Sequence, residues 1–209
     1  MEPTHDTPIK SAYIDFVLKS GQRPGSVMSF SASIGMAERE FYQEHPSFEV
    51  LEATIFKDYF LLTMAQLEAD EEYAQYDVGT KLLSIYYTWL AVLNENRSMV
   101  KFMESQNRRG LLLPTYQTEV KEEFADVVRR LLKEGMAQGE FADRWMISRY
   151  YKDAIWLNAR FVLDYWLHDQ SRSFERTDAA VEKSVRVTLD LIRPNVIDSG
   201  LDLIRFLVN

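Results

Sequence analysis

The chain has 209 residues, 46% of them hydrophobic and 13% aromatic, enough apolar mass for one or two packed domains and too much for a disordered chain. Its net charge of -8 disfavours generic attraction to nucleic acid or anionic membranes, so a surface that takes DNA has to be a local one. Cysteine is absent, which excludes disulfides, thiolate metal sites and cysteine nucleophiles.

Apolar residues recur with a helical period along nearly the whole chain. Ile9, Tyr13, Phe16 and Val17 mark a first stripe, ended by Gly21 and Pro24. Residues 26–51, SVMSFSASIGMAEREFYQEHPSFEVL, read as two short helices around a turn at Gly35, followed by a Pro46-Ser47 entry into a long helix with Ser47 as N-cap. That helix carries Phe48, Leu51, Ile55, Tyr59 and Leu62. The next covers 78–93 and is dense in aromatics at Tyr86, Tyr87 and Trp89. Val120, Phe124, Val127, Leu131 and Leu132 give a further stripe, closed by Gly135 and Gly139. A long helix follows over 145–166, then another from a Thr177 cap through Val181, Val185, Leu189 and Ile192, stopping before Pro194. Leu201, Ile204, Leu207 and Val208 suggest a last short one. With no alternating strand run and no internal repeat, the chain reads as all-α, with about nine or ten helices. The connections at 110–115 and 168–177 are the main irregular segments.

The layout of 26–45 is that of a helix-turn-helix, which sets its second helix in a DNA major groove. Gly35 suits the turn, and Ala12, Phe16, Val27, Phe30 and Ile34 would form a small core beneath that helix. Phe41 would anchor the unit to the long helix, while Tyr42 has an apolar body for packing and a hydroxyl for a phosphate. Charge opposes the DNA reading. Residues 1–50 hold Lys10, Lys19, Arg23 and Arg39 against seven carboxylates, and the candidate recognition helix has Arg39 among Glu38, Glu40 and Glu44. Affinity for DNA comes largely from cations neutralising phosphates.

With these residues in view, the chain resembles the TetR-type repressors. Phe41, Tyr42, Pro46, Ser47, Glu49 and Leu51 follow the family's segment from the third helix into the fourth without a gap, and the detailed likeness covers residues ~9–55. Two departures bear on DNA: Met28 stands where the family has a basic residue early in the second helix, and Phe48 where it has a phosphate-contacting Lys. The resemblance implies a three-helix DNA-binding domain over 1–46 and a helical ligand-binding and dimerisation domain over 47–209. On that reading Ser26 and Tyr42 meet phosphates while Arg39, Glu40 and Gln43 face bases.

Repressors of this type hold a small-molecule effector between helices. Tyr86, Trp89, Met103, Tyr116, Phe124, Trp156, Phe161 and Trp166 are the candidates for lining such a site, and aromatic and Met side chains with few charges suit an apolar ligand. Aromatic residues at helical spacing are equally the material of a plain core. In the family the last two long helices of each subunit pair into a four-helix interface, so a homodimer is implied through 145–166 and 178–192. Enzyme chemistry has little to work with. His5, His45 and His168 are isolated, Glu71-Glu72 and Glu122-Glu123 read as solvated charge runs, and no phosphate loop or metal-ligand spacing occurs. No cofactor or metal is expected. The N-terminal MEPTHDTPIK lacks the order of a signal peptide, and the longest uncharged apolar-rich run, 82–94, falls short of the ~20 residues that span a bilayer. The expectation is a cytoplasmic, homodimeric repressor that binds operator DNA and answers to an apolar small molecule, with no membrane partner. Two alternatives stay open: a chain of the same fold that has lost DNA binding and takes a lipid or other apolar ligand, and a plain helical partner-binding module.

Overall fold

The computed structural model describes residues 8–106, 114–143 and 148–194. Among these the fold is all-α, with nine α-helices: α1 (Pro8–Ser20), α2 (Val27–Ser33), α3 (Glu38–Glu44), α4 (Phe48–Glu68), α5 (Val78–Glu95), α6 (Arg97–Ser105), α7 (Thr118–Ala137), α8 (Tyr151–His168) and α9 (Glu175–Ile192). The expected last helix at 201–208 and most of the 110–115 connection lie outside the described residues. The chain divides into two compact units, one of residues 1–65 with 91–123 and one of 66–90 with 124–209. The three N-terminal helices therefore share their unit with most of α4 and with α6.

In the first unit, α2 begins at Ser26, whose Oγ accepts the Ser29 amide at 3.1 Å, the side-chain cap its sequence calls for. Its end is closed by a Schellman arrangement: Gly35, at φ +71°, donates to Ala32 O and Met36 donates to Ser31 O at 2.9 Å. Here the glycine is required, because a side chain resists that left-handed backbone. At the start of α3 the Glu40 carboxylate accepts the Ala37 amide at 2.8 Å; Ala37 has no acceptor to return, so only half of a capping box forms. Ser47 opens α4 as expected, its Oγ 3.3 Å from the Val50 amide.

The core beneath α3 is more aromatic than the apolar pattern predicts. Phe30 sits at its centre, with ring centroids of Tyr13, Phe16, Phe41 and Phe48 at 5.9, 6.4, 6.2 and 5.7 Å. Ala12, Phe16 and Ile34 are half-buried at its rim, and Tyr13 takes the central place assigned to them. A buried polar knot lies on the same core. Tyr13 donates to Glu52 at 2.6 Å, and the Arg23 guanidinium grips both Glu52 oxygens, from Nε at 2.8 Å and Nη2 at 2.6 Å, while Nη1 reaches Glu49. Helix α6 has no counterpart in the expected elements, although Met99, Val100, Phe102 and Met103 are buried on one side of it. It is short and begins two residues after α5 ends, so its periodicity merges with that of its predecessor.

In the second unit, α7 runs through Gly135 to Ala137 instead of closing at Gly135. The glycine is there for space: a Cβ at this position would lie 2.4 Å from the Phe141 ring, which packs against the helix. The true stop is Gly139, at φ +77°. Helix α8 begins at Tyr151, after a single 3-10 turn over Ser148–Tyr150, rather than at 145, and extends to His168. Helix α9 begins at Glu175, so Thr177 lies in its first turn and is not the cap. The capping falls to the preceding loop, where Asp169 accepts the Thr177 amide at 2.9 Å and Ser171 Oγ accepts the Arg176 amide at 3.2 Å. Burial acts upward on the Asp169 carboxyl, but the donors from Ser171 and Thr177 outweigh it and bring its pKa down to about 2.

Two stability predictions follow from these contacts. Glu52→Ala leaves Arg23 and Tyr13 without their acceptor; breaking a buried pair costs roughly 3–5 kcal/mol, and because the Arg23 side chain keeps 24% exposure the expected loss is near the lower end, read as a shift in the urea midpoint. Gly135→Ala gains about 1 kcal/mol of helix propensity yet forces its methyl into Phe141, at a typical cost of 1–3 kcal/mol. A net loss of stability is expected, whereas a gain would mean that Phe141 yields freely.

Candidate functional site

On α3, Arg39, Tyr42 and Gln43 stand at i, i+3 and i+4 and all three are exposed, so they share one outward face. Phe41 points the other way and is fully buried, an anchor as the pattern predicts. Glu40 is exposed, but its carboxylate is engaged on the Ala37 amide. Ser26 is exposed, with its hydroxyl occupied by the α2 cap. Of the five residues assigned to DNA, three thus lie free on one face and two are committed to helix ends.

The cations nearby are mostly spent. Lys10 pairs with Asp58 at 2.5 Å, Lys19 with Asp15 at 3.0 Å, and Arg23 with Glu49 and Glu52. Arg39 makes no ion pair among the described residues. Phe48, at the position where the family resemblance implies a phosphate-contacting Lys, is turned into the core, 5.3 Å from both the Tyr13 and the Phe41 ring. Exposed Met28 offers no charge at the start of α2.

The eight candidates for an effector site divide by unit. In the second unit Tyr86, Trp89, Phe124 and Trp156 come together around the Phe124 ring, with centroids 6.5, 5.9 and 5.4 Å from it. The Tyr86 hydroxyl donates to the Ile155 carbonyl at 3.1 Å, and burial alone raises its pKa far above the usual phenol value. Trp166 is buried on α8. Elsewhere in the same unit a void of about 10 Å³ is lined by apolar side chains including Val78, Leu82, Val128 and Phe141 and by none of the cluster's rings, at the lower limit of what one water needs. Met103 and Tyr116 belong to the first unit, where Tyr116 packs edge-on to Phe56 at 4.8 Å and donates to Glu104 at 2.8 Å.

Phe161 is half exposed and lies elsewhere, on the outer side of the α8–α9 pair. There Leu157, Phe161 and Tyr165, at successive i+4 positions of α8, face Val187 and Leu191 of α9 across an open groove of about 1250 Å³. Leu157, Val187 and Leu191 are each more than half exposed. The sequence signal for this face was present: apolar residues at 157, 161, 165, 187 and 191 lie off the buried stripe of their helices, which runs through Trp156, Leu163, Val185 and Leu189. A contiguous apolar face of this kind on a charged chain marks an interaction surface.

An all-α chain that opens on a short helix pair around a glycine turn, and continues into a helical bundle, has the architecture of a class of regulatory proteins. The profile of the family described as "Tetracyclin repressor-like, C-terminal domain" matches residues 81–207, more than half of the chain. The chain belongs to this TetR family. Solved structures agree on the fold. FadR, the fatty acid degradation regulator of Bacillus halodurans, is similar at a TM-score of 0.60 and 18% identity, over 90% of this chain and 96% of that one. The transcriptional regulator FadR of Bacillus subtilis, solved in complex with stearoyl-CoA, is similar at 0.61 and 14% identity, over 87% and 96%. A regulatory protein in the tetR family from Rhodococcus RHA1 is similar at 0.53 and 16%, over 92% and 99%. Comparison with curated protein sequences gives no match. Among the described residues no helix is long and apolar enough to cross a membrane, and no group of three or more His, Asp or Glu could hold a metal ion.

Proposed function

We propose that this protein is a cytoplasmic transcriptional regulator that binds operator DNA as a homodimer through α3 and is controlled by an apolar small molecule held in its helical domain, residues 47–209. The observation that carries the reading is the outward face of α3, where a capped α2 and a Schellman turn at Gly35 leave Arg39, Tyr42 and Gln43 free in solvent. Arg39 and Gln43 can pair with base edges, and the Tyr42 hydroxyl can reach a phosphate. Ser26 and Glu40, being held at helix ends, serve this face by fixing α2 and α3; the one Ser26 O–H donates to Ser29 Oγ at 3.0 Å, and a phosphate at this position takes that donor over.

The α8–α9 groove supports the homodimer. Five large apolar side chains on one helix pair can be covered by the same face of a second copy, the self-complementary contact of a two-fold dimer. For the effector, the aromatic cluster around Phe124 favours an apolar ligand, and the stearoyl-CoA bound by the Bacillus subtilis regulator offers an acyl chain as a model class. Tyr86, Trp89, Phe124, Trp156 and Trp166 are the lining residues of this proposal; Met103 and Tyr116 enter it only as candidates from the first unit. The rings around Phe124 pack on one another, so ligand entry requires the cluster to open, and the ligand shifts the protein only by as much as it prefers the open form.

A second reading, a TetR-fold protein that binds an apolar ligand but no DNA, is favoured by one specific observation. Three of the four cations in residues 1–50 are already neutralised by carboxylates. Selection from a pool of genomic fragments at two salt concentrations separates the readings. The regulator predicts one enriched palindromic site with a shallow salt dependence, because no cation of this face is assigned to a phosphate. Arg39→Ala should abolish that enrichment while Lys19→Ala, whose ammonium is paired at an exposed site, changes it little; equal effects would sink the docking model. No enrichment at low salt from a folded dimer supports the second reading. For the dimer itself, Leu157→Glu combined with Val187→Glu should convert the protein to monomers in sedimentation with its helix content retained, and an unchanged mass would remove this face from the interface.

A further inference from the structure

We propose that His45 is a proton-operated latch that holds the end of α3 down at the start of α4. His45 is the residue on which α3 ends, its amide donating to Phe41 O at 2.8 Å and its backbone extended at φ -136° and ψ 119°, and α4 begins three residues later. Its side chain is turned inward, 5% exposed, with the imidazole 6.0 Å from the Phe41 ring. Neither ring nitrogen has a hydrogen-bond partner. A neutral imidazole carries one donor and one acceptor, and here both are buried and idle. The ring thus acts as a wedge of apolar contact that would be served equally well by a phenyl group, except that it can take up a proton.

The charges around it set what that proton does. The ring's electrostatic neighbours are Glu44 of α3, Lys10 of α1, Glu119 of α7 and Asp58 of α4. Two of the three carboxylates are claimed, Asp58 by Lys10 at 2.5 Å and Glu119 by Lys57 at 2.7 Å. Glu44 is left, its side chain 49% exposed and its Oε2 3.9 Å from His45 Nε2. Burial outweighs the pull of Glu44 and pushes the His45 pKa below its ordinary value of 6.5. The seated ring is therefore neutral, and a protonated ring gains by moving outward to Glu44 and water. That movement withdraws the wedge from Phe41 and releases α3. The direction follows from linkage: the open form binds the proton more readily, so the latch is fully closed above pH ~6.5 and loosens as pH falls toward the depressed value. All of these residues belong to the first unit, and the latch does not depend on DNA binding.

The chain has three histidines, so an NMR titration resolves them individually, with hydrogen-exchange protection of α3 amides read in parallel on the full chain, each rate corrected for its intrinsic pH dependence. In the wild type His45 should titrate below the ordinary histidine value of 6.5, and α3 protection should fall at least threefold between pH ~7.5 and ~5, bounded by about tenfold per pH unit for one proton. In His45→Phe, α3 protection should become independent of pH over the same range. Glu44→Gln, a surface change that leaves the fold testable if the Phe variant fails, should move the midpoint of the wild-type transition to lower pH. Constant protection in the wild type, a retained pH dependence in His45→Phe, or an unmoved midpoint in Glu44→Gln would each overturn the latch.

Discussion

The Glu52 carboxylate is 2% exposed, and a charge so deeply placed is tolerable only with partners that satisfy both oxygens. Arg23 supplies a two-pronged grip and Tyr13 a third donor, and these come from the loop ahead of α2 and from α1, while Glu52 itself is on α4. One buried anion therefore dictates where three segments meet. The aromatic group around Phe30 fills the space beside it, and α2, the Gly35 turn and α3 are laid on that platform. The exposure of Arg39, Tyr42 and Gln43 depends on this arrangement, since α3 is only seven residues long and a helix of that length does not hold itself in water.

The same knot limits what the first unit can do with DNA. Arg23 is close to the start of α2 in sequence but is given over to Glu49 and Glu52, and Phe48 is turned inward. Stability and phosphate attraction draw on the same few cations, and in this chain stability has most of them. What remains is one guanidinium with a tyrosine and an amide, a surface better suited to hydrogen-bond reading than to electrostatic capture.

In the second unit, aromatic residues of similar sequence character have separate fates. Phe124, Trp89 and Trp156 are closed into the core, whereas Phe161, five residues beyond Trp156 on the same helix, faces the open groove with Tyr165. An offset of five residues is about 500° of helical turn, so the two rings point to different sides of α8. The apolar groove and the aromatic core are thus two surfaces of one helix, and a dimer contact and a ligand contact need not compete for the same side chains.

The all-α class, the Ser47 cap, the Gly35 turn, the extents of α1 and α5 and the start of α4 were legible in the sequence, because caps, left-handed glycines and 3.6-residue periodicity are local and act through neighbouring residues. The misread positions share a physical cause. Gly135 looks like a stop until Phe141 is known to need its space, Thr177 looks like a cap until Asp169 and Ser171 are found capping the helix from the loop, and α6 hides behind α5 for want of a clear break. The charge of -8 and the acidic third helix could be counted from the sequence. That Arg39, unlike Lys10, Lys19 and Arg23, makes no ion pair among the described residues, that His45 is buried with idle nitrogens, and that Phe161 faces outward were decided only by tertiary structure, because each depends on which side chains packing brings within a few ångströms.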